Sequence, residues 1–541
     1  MQTSIGSVVI TVTLAGVFSA AALGQKPKAP PAEQQPAKQA QTQPAEQPKT
    51  EPTAAGEPAK GGAADKEERY DMAEIPPVVT HHQITIDGRL LKYTTTTGRL
   101  PIKRGDGKIE AEMFFVAYTL DNQDLNKRPL TFAFNGGPGS ATVWLHMGAL
   151  GPKRVVMQAA GFMPAPPYRG IDNQYTALPF TDIVLVDAIG TGFSRAATAE
   201  EAKKFLSVTG DVKAFGEFIR AFLSRYERWP SPLFIVGESY GTTRAAGVAG
   251  YLADNGISFN GVVLLSSALD FQTLEFTKAN DLPYVLILPS YTMIAGYHKK
   301  LPPELLQDLA KTRREVEHWA ANEYAQALAK GDTMTAQERA AVIEQMSRYT
   351  GLKKDLIDQA NLRIDVRHFT HNLLLDQKLR VGRLDGRFTG IDPNGLLDTP
   401  FYDPSMSETL PPYTMVFNNY VRSELGYKTD MPYRVFVFES EDFKWEWGSA
   451  EKGFPDTATE LREAMAKDPY LRVLVMEGYY DLATPYYAAN YTMDHLDLPE
   501  KFRGNISFAT YDSGHMVYLD TPSLAKFSKD LADFINRSLA Q

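Results

Sequence analysis

The stretch that most constrains the fold of this chain is residues 233–241, Leu-Phe-Ile-Val-Gly-Glu-Ser-Tyr-Gly. Its four leading apolar residues are typical of a buried parallel strand, and the next five have the Gly-x-Ser-x-Gly spacing of a nucleophile elbow. The Ala-rich residues 242–253 then predict a helix, which Asn255 and Gly256 would end. Strand, turn and helix together favour Ser239 as a catalytic nucleophile. The alternative is a glycine-rich strand-to-helix turn in another type of α/β protein.

The first 68 residues differ in character from the rest of the chain. Residues 1–24 contain an uncharged apolar run and end in small residues, which predicts a cleaved export signal; the alternative is an uncleaved membrane anchor. Residues 25–68 are rich in Pro, Gln, Ala, Lys and Glu and predict a disordered linker. We therefore expect an exported protein, periplasmic or extracellular, with no integral membrane domain after signal cleavage.

Composition excludes some partners and some sources of stability. Of the 541 residues 43% are hydrophobic, so the chain can bury a large core. It contains no Cys, so the core must stabilise it without disulfides, although an exported protein would be allowed to form them. The net charge of −9 and the lack of a long basic run argue against nucleic acid as a partner.

The pattern of strands and helices after the linker predicts the fold. Residues 82–86 and 90–96 flank Asp87 and Gly88, a typical hairpin turn, and a strand at 108–120 follows, so an antiparallel edge opens the sheet. Strands then alternate with helices, as a parallel sheet requires. The predicted strands are 130–134, 182–186, 233–236, 262–265, 472–476 and 505–510, with a helix at 212–226 and a terminal helix. We predict an α/β-hydrolase fold with a mostly parallel central sheet flanked by helices.

A large, mainly helical cap is predicted to interrupt this core. The core comprises residues 69–270 and 456–541, and the cap insertion comprises residues 271–455. Thr335 and Glu338 have the spacing of a capping box at a helix start within the cap.

Two pairs of cap residues have a possible functional use and a structural one. Trp445 and Trp447 suit packing between cap and core, or the lining of a pocket. His368 and His371 have the helical spacing of two metal ligands, but no third ligand pairs with them. We interpret these histidines as structural and expect no metal site.

A glycine-rich loop follows the strand at 130–134. Residues 135–139, Asn-Gly-Gly-Pro-Gly, form either an ordinary turn or a loop whose backbone N–H groups face a ligand. In α/β hydrolases one oxyanion donor comes from the loop after an early strand and the other from the residue after the nucleophile. Here these donors would be the N–H groups of Gly137 and Tyr240.

Asp481 and His515 each follow a late predicted strand. The order Ser239, Asp481, His515 is the order of nucleophile, acid and base in α/β hydrolases. A serine hydroxyl is a poor nucleophile until an imidazole accepts its proton, and the carboxylate fixes the tautomer of that imidazole.

Five motifs together make the chain from about residue 76 onward resemble the serine carboxypeptidase family of α/β hydrolases, and more closely its bacterial exported members. The motifs are residues 135–139, 190–194, 237–241, 478–481 and 514–517. The resemblance implies that Ser239, Asp481 and His515 are the catalytic triad and that Gly137 and Tyr240 form the oxyanion hole. It also implies that Asn135 and Glu238 help to hold the free C-terminal carboxylate of a peptide substrate, with no metal or organic cofactor.

Some positions depart from the family pattern. Ala149 stands where the family usually has a second carboxylate-binding Glu, which puts strict recognition of a C-terminus in question. Ser140 and Thr484 replace common cysteines, and Tyr518 replaces a Pro. Two other functions therefore stay open. One is an esterase or acyltransferase that uses the same triad. The other is a catalytically silent binding protein, which the presence of every triad and oxyanion residue disfavours.

Overall fold

The structure is a computed structural model that describes residues 70–391, 393, 402–438, 443–448 and 453–540. These residues belong to one unit, Asp65–Gln541. The expected export signal, residues 1–24, and the expected linker, residues 25–68, lie outside the described residues. None of the helices in the described ranges is both long and apolar enough to cross a membrane.

Ten strands of the described chain form one mixed sheet. The described chain has fourteen strands in all: β1 (Val78–Ile86), β2 (Arg89–Lys103), β3 (Ile109–Leu120), β4 (Leu130–Phe134), β5 (Lys153–Val155), β6 (Gly170–Asp172), β7 (Asp182–Val186), β8 (Arg195–Ala196), β9 (Leu233–Glu238), β10 (Gly261–Leu265), β11 (Leu379–Val381), β12 (Thr389–Ile391), β13 (Arg472–Gly478) and β14 (Ile506–Tyr511). The order across the sheet is β1-β2-β3-β7-β4-β9-β10-β13-β14, and β8 pairs with β3. β5 pairs with β6, and β11 pairs with β12, as two separate small sheets.

Helices follow most strands of the sheet and fill the region between β10 and β13. They are α1 (Val143–Leu145), α2 (Ala199–Ala202), α3 (Val208–Arg225), α4 (Tyr240–Asp254), α5 (Leu282–Tyr297), α6 (Pro303–Leu306), α7 (Leu309–Trp319), α8 (Ala325–Lys330), α9 (Ala336–Thr350), α10 (Lys354–Gln359), α11 (Val366–Asn372), α12 (Pro404–Ser423), α13 (Ala458–Lys467), α14 (Tyr486–Asp494), α15 (Glu500–Arg503) and α16 (Thr521–Leu539). A π-helical turn, His146–Leu150, continues α1.

The antiparallel edge predicted from the sequence is confirmed. β1 pairs with β2 and β2 with β3, both antiparallel. Asp87 has φ 48° and Gly88 has φ 77°. Two consecutive positive φ values characterise the type I′ turn, whose twist matches that of the flanking strands, so an Asp-Gly pair suits this position.

The rest of the sheet is parallel from β7 to β14. Every residue of β4, β9 and β10 is buried, as expected for strands covered on both faces. The carboxyl ends of these parallel strands meet at one edge of the sheet. Asn135 follows β4, Ser239 follows β9, Asp481 follows β13 and His515 follows β14. The topology therefore brings these residues to the same edge.

Alternate residues of the central strands enter two separate cores. Phe234 and Val236 of β9 lie in a core shared with α1 and α16, whereas Leu233 and Ile235 lie in a core shared with α3 and α4. Helices thus cover both faces of the sheet, which is the predicted α/β architecture.

Helix α3 begins four residues before the predicted start at residue 212. The Ser207 side chain accepts a hydrogen bond from the N–H of Gly210 and caps the helix there. A serine cap precedes the apolar periodicity from which the start was predicted, so the first turn was missed.

The region predicted as a cap, residues 271–455, is mainly helical where it is described, and its bounds stay a prediction. Helices α5 to α11 enclose an apolar core of their own. Helix α12 instead packs Tyr413 and Phe417 into the core that contains α16. The capping box of Thr335 and Glu338 is confirmed at the start of α9.

Candidate active site

Ser239 lies at the apex of the predicted elbow between β9 and α4. Its backbone has φ 61° and ψ −133°, a region that non-glycine residues rarely occupy. Its N–H donates to the carbonyl oxygen of Leu265 at 2.9 Å, which ties the apex to the end of β10. A side chain at Gly237 would collide with the backbone of Gly241, so the strand and helix approach as closely as an elbow requires.

Asp481 and His515 are in direct contact. The Nδ1 atom of His515 lies 2.7 Å from Oδ2 of Asp481, and both side chains are buried. The N–H groups of Ala483 and Thr484 donate to Asp481 Oδ1 at 2.7 and 3.1 Å. The Thr484 hydroxyl donates to Asp481 Oδ2 at 2.7 Å. These donors fix the carboxylate so that it accepts from the imidazole, as in a Ser-His-Asp arrangement.

The backbone of His515 is held on both sides. Its N–H donates to the carbonyl oxygen of Leu384 at 2.6 Å, and its carbonyl oxygen accepts from the Ser266 hydroxyl at 2.6 Å. Burial lowers the pKa of the imidazole, but the Asp481 carboxylate and, to a smaller extent, Glu238 outweigh burial and raise the pKa above its usual value.

The glycine loop after β4 lies against the elbow. A side chain at Gly136 would collide with the backbone of Tyr240 and Gly241. Within the described part of the chain, the N–H groups of Gly137 and Tyr240 donate to no protein acceptor. Two unpaired N–H groups beside Ser239 are the arrangement expected of an oxyanion hole.

Arg244 of α4 joins this loop to the elbow helix. Its Nη1 donates to the carbonyl oxygen of Asn135 at 2.6 Å, and its Nε donates to Asp211 Oδ2 at 2.7 Å. The buried guanidinium lies 4.3 Å from the ring centre of Phe215 and 5.3 Å from that of Tyr240. Sequence reasoning missed this residue because its partners come from three separate segments.

Glu238 is buried directly before the nucleophile. The Tyr518 hydroxyl donates to its Oε2 at 2.8 Å. Burial raises the pKa of Glu238 to about 7, against the opposing effects of His515, Tyr518 and Asn135. The side chain of Asn135 is oriented because its Oδ1 accepts from the N–H of Leu145 at 3.0 Å. Near neutral pH Glu238 is therefore a carboxyl group able to donate a hydrogen bond.

Ala149 is fully buried in the π-helical turn that continues α1. The preceding residue, Gly148, lies against Tyr518, because a side chain at Gly148 would collide with the Tyr518 ring. In the sequence Tyr518 stands out only because it replaces a Pro. Its position in the sequence did not identify Glu238 as its partner.

One cavity of about 540 Å³ gathers most of the predicted site residues. Asp481 lies behind it, in contact with His515. Apolar side chains, including Trp144, Phe436 and Phe438, line the cavity together with the charged Arg383 and Glu275. The predicted residues on its wall are Asn135, Gly137, Glu238, Ser239, Tyr240 and His515.

The two tryptophans of the insertion pack against the elbow, and its two histidines contact polar side chains nearby. Trp445 and Trp447 pack edge-on against Tyr240, and their ring centres lie 5.2 and 5.9 Å, respectively, from that of Tyr240. His368 Nδ1 lies 2.7 Å from Asp365 Oδ1, and His371 Nδ1 lies 2.7 Å from a guanidinium nitrogen of Arg380. In the described ranges no three acidic, His or Cys side chains come together as a metal site would need.

Comparison with known proteins finds one family and two related plant proteins. The family model described as serine carboxypeptidase matches residues 91–529. Serine carboxypeptidase-like 13 of Arabidopsis thaliana is 26% identical over 172 residues, which cover 30% of this chain and 38% of that protein. Serine carboxypeptidase-like 9 of the same plant is 28% identical over 180 residues, 31% of this chain and 39% of that protein. The chain thus matches well under half the length of each relative.

Two of the solved structures that this chain resembles are a peptidase and an esterase. A proline iminopeptidase from Mycobacterium smegmatis is 15% identical, with a TM-score of 0.35, and the match covers 82% of this chain and 99% of that one. A highly thermostable carboxyl esterase from Bacillus coagulans is 12% identical, with a TM-score of 0.35 and the same two coverages.

Proposed function

The chain belongs to the serine carboxypeptidase family, and from that premise we propose that it is an exported serine-type carboxypeptidase. Its substrate is a peptide with a free C-terminus, and the reaction needs no cofactor. The observation that carries the proposal is Glu238, a buried carboxyl group whose pKa is raised to about 7, on the wall of the cavity that also holds Ser239. A neutral carboxyl group beside a nucleophile suits a substrate that ends in a carboxylate.

The proposed reaction proceeds through an acyl-enzyme. His515 accepts the proton of the Ser239 hydroxyl while the serine oxygen bonds to the carbonyl carbon of the last peptide bond. The N–H groups of Gly137 and Tyr240 stabilise the negative oxygen of the tetrahedral intermediate. The C–N bond then breaks as the imidazolium gives its proton to the leaving amino acid. Water, deprotonated by His515, hydrolyses the acyl-enzyme and restores the serine hydroxyl.

Recognition of the C-terminus is assigned to Glu238 and Asn135. A protonated Glu238 donates a hydrogen bond to the substrate carboxylate, whereas an ionised Glu238 would repel it inside this largely apolar cavity. The Asn135 amide supplies a second donor. The preference for free-acid substrates therefore depends on the protonation state of Glu238.

Ala149 supports a second candidate function. Position 149 carries no acidic side chain that could bind a substrate carboxylate together with Glu238. The same triad would then serve an esterase or acyltransferase whose substrate has no free carboxylate. The apolar side chains along the cavity suit such an acyl group.

Three matched substrates separate the candidates: a blocked peptide with a free C-terminus, its C-terminal amide, and a small neutral ester. A carboxypeptidase cleaves the free acid with a higher kcat/KM than the amide, and Ser239→Ala abolishes turnover of all three. Rapid ester turnover with no preference for the acid over the amide would favour the second candidate. If the wild type turns over none of the three substrates, the remaining interpretation is a catalytically silent binding protein.

A further inference from the structure

Tyr518 and Glu238 form a buried pair beside the nucleophile, and the Asn135 side chain hydrogen-bonds Glu238 as well. The Tyr518 hydroxyl donates to Glu238 Oε2 at 2.8 Å, and each residue is 2% exposed. Tyr518 lies on a short 3-10 turn, Val517–Leu519, three residues after His515. The base and the partner of Glu238 are thus carried by the same loop.

The position of the Tyr518 ring is fixed by close packing. A side chain at Gly148 would collide with the Tyr518 ring and would lie 2.8 Å from the Tyr413 hydroxyl oxygen. The ring therefore lies against the backbone of the π-helical turn that carries Ala149. In this position the hydroxyl reaches Glu238.

We propose that Tyr518 is the positioning residue that replaces the missing acidic partner at position 149. Its hydroxyl occupies Glu238 Oε2, so the proton of the neutral carboxyl group lies on Oε1 and is directed to the substrate's C-terminal carboxylate. The proposal rests on the proposed function and specifies how Glu238 performs it.

A tyrosine partner differs chemically from an acidic one. A second carboxyl group can donate or accept, and it titrates together with the first. Burial raises the pKa of Tyr518 well above its usual value, so its hydroxyl stays protonated and donates over the working pH range. Glu238 must then accept at Oε2 in both of its protonation states.

The same hydrogen bond sets the upper pH limit for free-acid substrates. A donor to the carboxylate stabilises the charged form of Glu238, so it lowers the pKa that burial raises. Besides Tyr518, the charge of His515 and the Asn135 side chain lower the pKa of Glu238, whereas the charge of Asp481 raises it. Tyr413 also faces Glu238, but burial raises its own pKa, so it stays uncharged over the working pH range. Without the Tyr518 hydroxyl, one of the interactions that lower the pKa of Glu238 is lost, while burial still raises it. The pKa of Glu238 therefore increases, and the group stays protonated at higher pH.

The test compares Tyr518→Phe with Tyr413→Phe, a matched change of a second buried tyrosine near Gly148. For Tyr518→Phe we expect the alkaline limb of kcat/KM on the free-acid peptide to move up by on the order of one pH unit, because the charged form of Glu238 loses a hydrogen-bond donor. We also expect a several-fold higher KM below neutral pH, because Oε1 is no longer oriented. Tyr413→Phe should show neither change, and the ester profile of Tyr518→Phe should have no alkaline shift.

A spectroscopic readout keeps this test separate from that of the proposed function. The carboxyl infrared band of Glu238, identified by its loss in Glu238→Gln, is titrated against pH in the Ser239→Ala protein with and without Tyr518→Phe. An upward shift of the midpoint supports the role of Tyr518. If the variants have a normal circular dichroism spectrum and are therefore folded, an unmoved midpoint overturns the role of Tyr518. An equal shift with Tyr413→Phe overturns it too. If wild type cleaves acid and amide equally, the proposed function fails while the infrared midpoint still decides the role of Tyr518.

Discussion

Replacing Glu238 by Gln separates recognition of the substrate's carboxylate from the chemistry of the nucleophile. The glutamine keeps the shape of a protonated glutamate: its carbonyl oxygen accepts from Tyr518 and its NH₂ donates toward the cavity. Its donor does not titrate. The change therefore removes the proton equilibrium of Glu238 and retains its hydrogen bonds.

The size of the effect follows from the raised pKa of Glu238, about 7. The protonated fraction falls from about one half at pH 7 to about one hundredth at pH 9, so wild-type kcat/KM on a free-acid peptide should fall about 50-fold over that interval. Glu238→Gln should abolish this fall. A neutral ester has no carboxylate to repel and should not show the fall in either protein.

The acidic limb supplies a second signature of the same variant. His515 must be neutral to act as base, so activity on every substrate falls as pH decreases through its pKa. The charge of Glu238 contributes to raising that pKa. Glu238→Gln removes this charge from the molecules in which Glu238 is ionised, so it should lower the pKa of His515 and move the acidic limb to lower pH for acid, amide and ester alike. The shift should be small, because Glu238 is mostly protonated below pH 7.

The assay is kcat/KM from pH 5 to 9 for the free acid, the amide and the ester. Glu477→Gln is the matched control, because Glu477 is also a fully buried glutamate whose pKa is raised well above the usual value, but it lies outside the cavity wall. Equal cleavage of acid and amide at every pH, together with unchanged profiles in Glu238→Gln, would refute the assignment of Glu238 to the substrate carboxylate.

Three further predictions concern the groups around the nucleophile. Ser239→Ala should lower turnover of peptide and ester by on the order of 10⁴-fold without unfolding, and a serine-directed phosphonate should label wild type at Ser239 alone; labelling elsewhere would contradict the triad. Arg244→Ala should destabilise the fold by about 3–5 kcal/mol in denaturant unfolding, because the buried Asp211 loses its ionic partner; a loss below about 1 kcal/mol would show that the pair contributes little. The charge of Arg383 lowers the pKa of His515, so Arg383→Gln should raise it and move the acidic limb to higher pH for all three substrates. Because Arg383 is exposed, this shift should shrink at high salt, and a salt-independent shift would exclude a charge effect.

The backbone of the site was predictable because each part carries a local signal. Alternating or continuous apolar runs gave β4, β7, β9 and β13, and the glycine spacing gave the elbow. Short strands such as β5 and β8 were not predicted, since two or three residues carry no periodicity. The assignment of α12 to the main core was also not predictable, because its amphipathic pattern does not say which core its apolar face joins.

The contacts that tune the site were not predictable because they join distant segments. Tyr518 and Glu238 are 280 residues apart in sequence, and no pattern at either position encodes the other. In the sequence Arg244 is one residue of an Ala-rich helix, and only the structure shows its contacts with Asn135 and Asp211. Sequence reasoning thus identified the groups that react, while the groups that set their protonation required the tertiary structure.

The insertion between β10 and β13 also helps to hold the catalytic histidine. The carbonyl oxygen of Leu384 accepts from the N–H of His515. Asp385 Oδ2 accepts from the N–H of Gly514 at 3.2 Å. Arg387 donates to the Ser513 hydroxyl oxygen at 3.0 Å and pairs with the carboxylates of Asp385 and Asp520.

These contacts limit how the insertion can move. Displacing residues 384–387 would break each hydrogen bond to the loop of His515 and would leave the buried Asp520 without its guanidinium partner, a costly state for a buried charge. A lid that opens by swinging this segment would therefore either lose these hydrogen bonds or carry the base away from Ser239. Residues 384–387 are therefore a fixed part of the site, whereas another part of the cavity wall carries exposed side chains such as Phe438.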